Sequence, residues 1–423
     1  MKSSNYEQLM EMMLNMEVID SHEHLCPEKV RLAQTPNFTT LFCHYAQSDL
    51  VAAGLRGEDL KTVFGAGSTI EEKWSAFQPY YDRVRDGSYS RSAHIAMEKF
   101  YGVSELNSLA DAERVTKAIQ KANKPGLYKK VLKDACKIRV SMNYGNITDD
   151  REFFQPVIYG MDYIQATRDT IRGLENEMDV ACGNLTAYVD AVWEKYRQLK
   201  EQGMKGIKIG IAYQRDLNFA ARTHAEAEEV FLRITEEGYG WRNTNLGYEE
   251  MRPFHDYMVH RFCEIAGELD IPIVFHTGLQ TNHDHNADDS RPLRLWNLPH
   301  RYRRTDFVIL HSGFPWLEDG ALLAKQYRNV YLDLAWTHIM SPEIVTRSLQ
   351  SIVDLVPMHK VIGFGGDYCI IEKVYGHLMI AKQDIARAFS TKIDNGGMTL
   401  PRAKAWAQAM LWDNPVNVFR LEF

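Results

Sequence analysis

The sequence predicts a (β/α)8 barrel with a long helical insertion after the first strand, forming a single domain over residues 1–423. Two observations predict this fold. Eight short apolar runs alternate with helical patterns, as expected for a sheet of parallel strands. Four of the runs end in histidine or aspartate, at residues 22–24, 276, 311 and 367. Because functional residues of such barrels sit at the carboxyl ends of the strands, these residues are expected to share one rim.

The chain begins with an amphipathic helix over 4–16, whose apolar residues recur at helical spacing. The first strand, 18–20, leads directly into His22 and His24. Residues two apart in an extended chain point to the same face, so both imidazoles can bind one cation. The alternative is a pair of ordinary loop histidines, which the three later strands with similar endings make less favoured.

The next stretch, from about 25 to 135, is helical in pattern and rich in aromatic residues. Roughly 110 residues is too long for a plain loop between two strands. The stretch is therefore predicted to be a helical subdomain that covers the site. Most of its aromatic residues are expected to form the core of that subdomain.

Strand and helix patterns alternate in the remainder of the chain. The later strands are predicted at 137–142, as a short strand within 155–163, and at 204–211, 272–276, 306–311, 329–334 and 361–366. Helices are predicted at 184–203, 223–237, 248–269, 371–389 and 402–412.

Composition narrows the functional class. The net charge is −7 and no block of lysine and arginine stands out, which argues against a nucleic acid or a membrane as a partner. The six cysteines contain no CxxC pair, and neither a signal-like N-terminus nor an apolar run of ~20 residues is present. We therefore expect a cytoplasmic protein that acts on a small molecule, and we expect it to be a homo-oligomer.

The strand-end residues suit a divalent metal. Histidine nitrogen and carboxylate oxygen commonly bind zinc, and manganese or iron are alternatives. His22, His24, His276 and Asp367 would leave room for a water molecule that can lose its proton near neutral pH. His311 is a candidate to polarise a substrate carbonyl or to move protons.

These motifs resemble those of the amidohydrolase superfamily, in the branch that includes aromatic-acid decarboxylases and uronate isomerases. The matching pieces are His22-Glu23-His24, His276-Thr277-Gly278, His311-Ser312-Gly313-Phe314-Pro315 and Gly366-Asp367. A narrower similarity, to the amidohydrolase-like half of proteins fused to glutamine synthetase, lies in 208–213, 311–316 and 329–334.

The resemblance implies that His22, His24, His276 and Asp367 bind the metal and that His311 is catalytic. Asp367 is also the candidate general base. In binuclear members of the superfamily a carboxylated lysine after strand four bridges two metals, so Lys208 has three open interpretations: such a bridge, a cation that holds an anionic substrate, or a structural residue.

Two further residues beyond strand four are candidates for substrate binding. These are Tyr213 and Arg215, and Arg215 has the shape to hold a carboxylate with two hydrogen bonds. His283 and His285 repeat the HxH spacing without a preceding apolar strand, so a loop is favoured over a second metal site.

The favoured function is metal-dependent hydrolysis of an amide, C–N or ester-like bond in a small polar substrate. The alternatives are a decarboxylase or a sugar-acid isomerase that uses the same site, since one metal and one acid/base group serve all three. A non-catalytic binding barrel is less favoured because the ligand set is intact.

Overall fold

The computed structural model of the protein describes residues 4–237, 247–281 and 285–423. Its centre is one sheet of eight parallel strands, which lie side by side in the order in which they occur in the chain. This is the arrangement of a (β/α)8 barrel, so the predicted fold class is confirmed. The strands are β1 Val18–Glu23, β2 Ile138–Tyr144, β3 Phe154–Tyr159, β4 Gly206–Ile209, β5 Ile273–His276, β6 Phe307–Leu310, β7 Val330–Asp333 and β8 Val361–Ile362.

Helices surround the sheet and fill the long connection after β1. They are α1 Ser4–Asn15, α2 Glu28–Leu32, α3 Tyr45–Ala52, α4 Gly57–Phe64, α5 Ile70–Val84, α6 Ser88–Tyr101, α7 Leu109–Ala122, α8 Met161–Ile164, α9 Arg168–Met178, α10 Leu185–Glu201, α11 His224–Glu237, α12 Tyr248–Glu268, α13 Asn297–Arg301, α14 Leu317–Gln326, α15 Thr337–Met340, α16 Pro342–Leu355, α17 Ile371–Asp394, α18 Leu400–Gln408 and α19 Asn414–Val418. In the part of the chain that the structure describes, no helix has both the length and the apolar character that a membrane span requires.

Most of the later strands are shorter in the structure than their predicted ranges, the fourth among them, at Gly206–Ile209. The third ends at Tyr159, because the chain turns at Gly160 into α8. The eighth covers only Val361–Ile362. The segment 363–366 that follows contains three glycines, which weaken a strand and allow the backbone to bend.

Backbone hydrogen bonds bring the first strand to the chain that follows the eighth. The amide of Ser21 donates to the carbonyl of Phe364 at 3.0 Å, and the amide of Asp367 donates to the carbonyl of His22 at 2.7 Å. The barrel therefore closes at the place where the first and last candidate ligands lie.

The structure has three buried apolar clusters. One lies inside the barrel, where residues such as Ile19, Val274 and Val308 meet Phe419 near the C-terminus. A larger one lies between the strands and the surrounding helices. The third belongs to the insertion and contains several aromatic residues of the stretch, among them Phe38, Phe42, Trp74, Phe77 and Tyr81. Helices α3 to α7 thus have a core of their own, as expected for most of these aromatic residues.

Candidate metal and substrate site

Three strand-end side chains converge on one point. His22 Nε2 and His24 Nε2 lie 3.1 Å apart, and each lies 3.2 Å from Asp367 Oδ1. Among the described residues, these three form the one group of histidine, cysteine and acidic side chains whose possible ligand atoms all lie within 4.8 Å of one another. Two imidazole nitrogens and a carboxylate oxygen that face each other are a donor set that fits a divalent transition metal.

Burial sets the protonation of this group. Burial lowers the pKa of His22 well below its ordinary value, so its ring is neutral and can offer a lone pair at neutral pH. Burial acts to raise the pKa of Asp367, but contacts with His22, His24 and His311 hold it well below its ordinary value. A carboxylate beside neutral imidazoles is the state that metal binding requires.

The backbone around Asp367 is arranged to present its carboxylate. Asp367 has a φ of 56°, in the left-handed region that is uncommon for residues other than glycine. The preceding residue must be glycine, because a Cβ at Gly366 would collide with the Glu23 carboxylate. Glu23 in turn accepts a hydrogen bond from the amide of Tyr368 at 2.7 Å. These contacts fix the end of β1 against the loop that carries Asp367.

His276 and His311 form a second contact at the same rim. His276 Nε2 lies 3.0 Å from the carbonyl oxygen of Leu279, and His311 Nδ1 lies 2.9 Å from that of Ala335. Carbonyl oxygens only accept hydrogen bonds, so these two nitrogens carry the ring protons. The other nitrogens, His276 Nδ1 and His311 Nε2, are 3.2 Å apart and each has a lone pair when the rings are neutral. A cation between or beside them would remove the repulsion between these lone pairs.

The four candidate ligands are thus not equivalent in the structure. His22, His24 and Asp367 share one point, whereas His276 contacts His311 and is not part of the group within 4.8 Å. His311 Nε2 also lies 3.6 Å from Asp367 Oδ2, the oxygen that does not contact His22 and His24. Burial lowers the pKa of His311 to about 4, so its ring is neutral and can accept a proton at Nε2.

All of these side chains line a cavity of about 400 Å³. The insertion contributes His44 and Tyr45 to its wall, which places part of the insertion over the carboxyl ends of the strands. Burial raises the pKa of Tyr45 well above its ordinary value, and nearby Asp367 adds to this effect. The Tyr45 hydroxyl therefore keeps its proton and can donate it in a hydrogen bond.

The sequence analysis did not identify His44, Tyr45 or Tyr159 as site residues. Tyr159 ends β3, and its hydroxyl lies 3.5 Å from His24 Nδ1. Its place at a strand end was a signal that could have found it. His44 and Tyr45 follow no strand, so the strand-end rule gave no reason to select them.

Lys208 reaches the cavity from β4. Its ammonium group lies 5.3 Å from the centre of the Tyr144 ring, and that ring lies 3.7 Å from the ring of His22. Burial lowers the pKa of Lys208 to about 7, against the attraction of the Asp367 and Asp333 carboxylates. Among the described residues, Lys208 is not in the group that could hold a metal.

The two other substrate-binding candidates differ in position. Tyr213 lines the cavity, with its ring 4.5 Å from that of His276. Arg215 is not among the lining residues, and its guanidinium forms an ion pair with Asp256 at 2.8 Å. The structure therefore brings Tyr213 to the site and holds Arg215 in a buried ion pair beside it. His285 lies 5.7 Å from the Tyr213 ring, and His283 lies outside the described residues.

Comparisons with known proteins agree with the fold. A relative, Protein fluG of Emericella nidulans, is 27% identical over 253 residues, which are 56% of this chain and 29% of that protein. Two solved structures share the fold over nearly both full chains. The uronate isomerase of Thermotoga maritima has a TM-score of 0.81 and 14% identity, covering 98% of this chain and 97% of its own. The glucuronate isomerase of Caulobacter crescentus has a TM-score of 0.79 and 16% identity, covering 99% and 94%.

The family assignment rests on a family model described as Amidohydrolase, which matches residues 180–421. That range is more than half of the chain and includes the ends of β4 to β8, with His276, His311 and Asp367. The remaining candidate ligands, His22 and His24, precede the matched range and meet Asp367 in space. The chain is therefore a (β/α)8-barrel member of the amidohydrolase superfamily.

Proposed function

We propose that this protein is a metal-dependent hydrolase that cleaves an amide, C–N or ester-like bond in a small polar substrate. The observation that carries the proposal is the convergence of His22, His24 and Asp367 at the wall of a 400 Å³ cavity. His276 is the candidate fourth ligand, since its Nδ1 carries a free lone pair at the same rim. We propose zinc as the ion, with manganese or iron as alternatives.

The ion would supply Lewis acidity, which polarises a substrate oxygen and makes water more acidic. The protein's own residues then move the protons. Asp367 Oδ2 accepts the proton of the attacking water and later returns it to the leaving group. His311 Nε2, at 3.6 Å from Asp367 Oδ2, is placed to accept or relay the same proton. The Tyr45 hydroxyl, which lies beside Asp367, donates a hydrogen bond to the substrate.

Lys208 is proposed to hold an anionic group of the substrate. It is buried in the cavity wall, where burial opposes its charged form and the carboxylates of Asp367 and Asp333 favour that form. A carboxylate or phosphate on the substrate would favour the charged form further. Tyr213 would line the same part of the cavity and restrict the size of the substrate.

A sugar-acid isomerase is the second candidate. An isomerase must move protons between neighbouring substrate atoms, which requires proton-handling groups on more than one side. The cavity offers Asp367 and His311 from the barrel, and His44 and Tyr45 from the insertion. This opposed arrangement also suits aldose–ketose interconversion.

The proposal is tested with metal-loaded protein and panels of amides, esters, acids and sugar acids in water enriched in ¹⁸O. Incorporation of ¹⁸O into a cleaved product supports the hydrolase. An isomeric product without cleavage would refute the hydrolase and support the isomerase. Release of CO₂ would refute the hydrolase and support the decarboxylase. Elemental analysis of the same protein should find about one divalent ion per chain. A folded and active protein that stays metal-free after supplementation would refute the proposal.

A further inference from the structure

A second cavity of about 310 Å³ adjoins the proposed metal site. The two cavities share Tyr45 and Thr281 in their walls, so a substrate bound at the metal can extend past Tyr45 into the second one. The insertion provides one side of this second cavity through α3, and the chain after β5 provides the other. Of the candidate site residues that the structure describes, His285 alone lies in it.

Among the residues that the structure describes, the one carboxylate in this wall is Asp49. It is half-buried, and among the described residues it has no ion pair and no side-chain hydrogen bond. Burial raises its pKa, while the ammonium group of Lys373 acts in the opposite direction from beyond ion-pair distance. Lys373 does not line the cavity and lies over the Tyr368 ring at 4.6 Å. Asp49 is therefore an anion with no cationic partner at its own position.

Its surroundings favour a positive charge in two ways. The neighbouring wall is aromatic: Tyr45 and Trp336 stack at 4.3 Å between ring centres, and Tyr89 lies parallel to Trp336 at 6.5 Å. Aromatic rings attract cations and exclude water, which strengthens the attraction of a carboxylate for a cation.

The second feature is Gln280, a buried residue of the same wall that is 8% exposed. Its amide nitrogen donates to the carbonyl of Ala212, which leaves its amide oxygen as an acceptor. That oxygen is buried and has no hydrogen-bond donor among the described residues. A buried acceptor without a donor adds negative potential beneath the wall, and an ammonium group, which has several N–H donors and no acceptor, matches that potential and the Asp49 carboxylate.

We propose that this second cavity binds a positively charged amine at the far end of the substrate, with Asp49 as its specificity-determining residue. This inference rests on the proposed function, since it assumes that the reacting bond lies at the metal site. It adds a substrate class: an amide or ester whose leaving group or acyl group carries an aliphatic ammonium several atoms from the reacting carbonyl.

The inference is tested first by binding, which does not require turnover. The probes are pentylammonium and 1-pentanol, which differ in charge and have similar length and apolar surface. Calorimetry on the metal-loaded protein should show tighter binding of pentylammonium. Asp49→Asn should weaken that binding by about tenfold or more, because it removes a charged partner, and should leave pentanol binding unchanged. Asp49→Glu should recover part of the affinity.

Asp86→Asn is the matched control, because it removes the same charge from an exposed position on the insertion outside the cavity wall. It should bind both probes as the unmodified protein does. Equal binding of the two probes, or equal loss in Asp49→Asn and Asp86→Asn, would overturn the inference.

Turnover separates this inference from the proposed function. The substrates are N-(4-aminobutyl)acetamide and N-pentylacetamide, which differ only in the terminal charge. Preferential hydrolysis of the charged amide that disappears in Asp49→Asn supports both proposals. Equal hydrolysis of the two amides overturns the inference and leaves the hydrolase in place. Asp49-dependent binding of pentylammonium by a protein that proves to be an isomerase would refute the hydrolase and support the cation site.

Discussion

The two walls of the metal cavity are built differently. The barrel wall carries His22, His24 and Asp367, each placed by the end of a strand and fixed by backbone hydrogen bonds. The insertion wall carries His44 and Tyr45 at the start of a helix that packs around a separate apolar core. The barrel thus fixes the groups proposed for the reaction, and the insertion supplies groups that can change without disturbing the ligands. We infer that reaction type resides in the barrel, and that the insertion adds to the choice of substrate made by Lys208 and Tyr213.

The largest effect is expected at the barrel wall. Asp367→Asn keeps an oxygen that can approach the metal but loses the basic carboxylate, so turnover should fall by about 10²- to 10⁴-fold. Metal content should remain largely intact, as measured by elemental analysis. His22→Ala is the comparison variant and should lose metal and activity together. Full metal content with near-normal turnover in Asp367→Asn would exclude Asp367 as the base.

A substitution that disrupts the apolar core of the insertion should lower the stability of that region alone. Phe77 is fully buried among Phe38, Phe42 and Tyr81, and Phe77→Ala should cost about 3–5 kcal/mol of its stability. Hydrogen exchange should rise in residues 38–119, and the barrel strands should stay protected. Equal loss of protection in both regions would show that the insertion and the barrel unfold as one unit.

Low pH should lower the stability of the barrel, in part through His255. This residue of α12 is buried, and neither ring nitrogen has a hydrogen-bond partner among the described residues. Burial lowers its pKa to about 3. The unfolded chain takes up this proton near the ordinary pKa of 6.5, so the free energy of unfolding falls as the pH decreases below that value. His255→Leu should remove up to about 2 kcal/mol of the loss between pH 7 and pH 5. Urea unfolding of both proteins at the two pH values measures this difference. The same pH dependence in His255→Leu and in the unmodified protein would contradict the lowered pKa.

The smallest effect is expected at the insertion wall. Tyr45→Phe removes one hydroxyl beside Asp367 and keeps the ring that stacks on Trp336. The loss of one hydrogen bond to the reacting substrate should reduce kcat/KM about tenfold. Metal content and thermal stability should not change. A reduction as large as that of Asp367→Asn would assign Tyr45 to the reaction itself and would break the division between the two walls.

The sequence predicted the barrel fold and the shared rim of the candidate residues, for a physical reason. Each candidate ligand follows an apolar run, and parallel strands bring their carboxyl ends to one rim. His276 and Arg215 show the limit of the rule. The rule predicts that a side chain lies at the rim, but it does not predict which nitrogen of a histidine ring faces which neighbour. No local sequence pattern indicated that Asp256 would form an ion pair with Arg215. The cytoplasmic location and the homo-oligomer remain predictions.

The positions of the insertion residues could not be predicted in the same way. Its helical pattern and aromatic content predicted a helical unit, because amphipathic periodicity is a local property. The positions of Tyr45 and Asp49 depend on how that unit docks on the barrel, through contacts such as the 2.8 Å hydrogen bond from Tyr101 to Glu372. Such contacts join residues that are far apart in the chain, and they leave no periodic signal.

The hydrogen bonds that join β1 to the chain after β8 have a consequence for how the protein responds to its metal. The proposed ligands come from residues 22–24 and from residue 367, so they meet only when the two ends of the sheet have come together. An ion bound to all three spans the seam of the ring and opposes its opening. By mass action, the concentration of free metal would then determine how often β1 separates from the chain after β8. Chelation would weaken the barrel at this junction before any other.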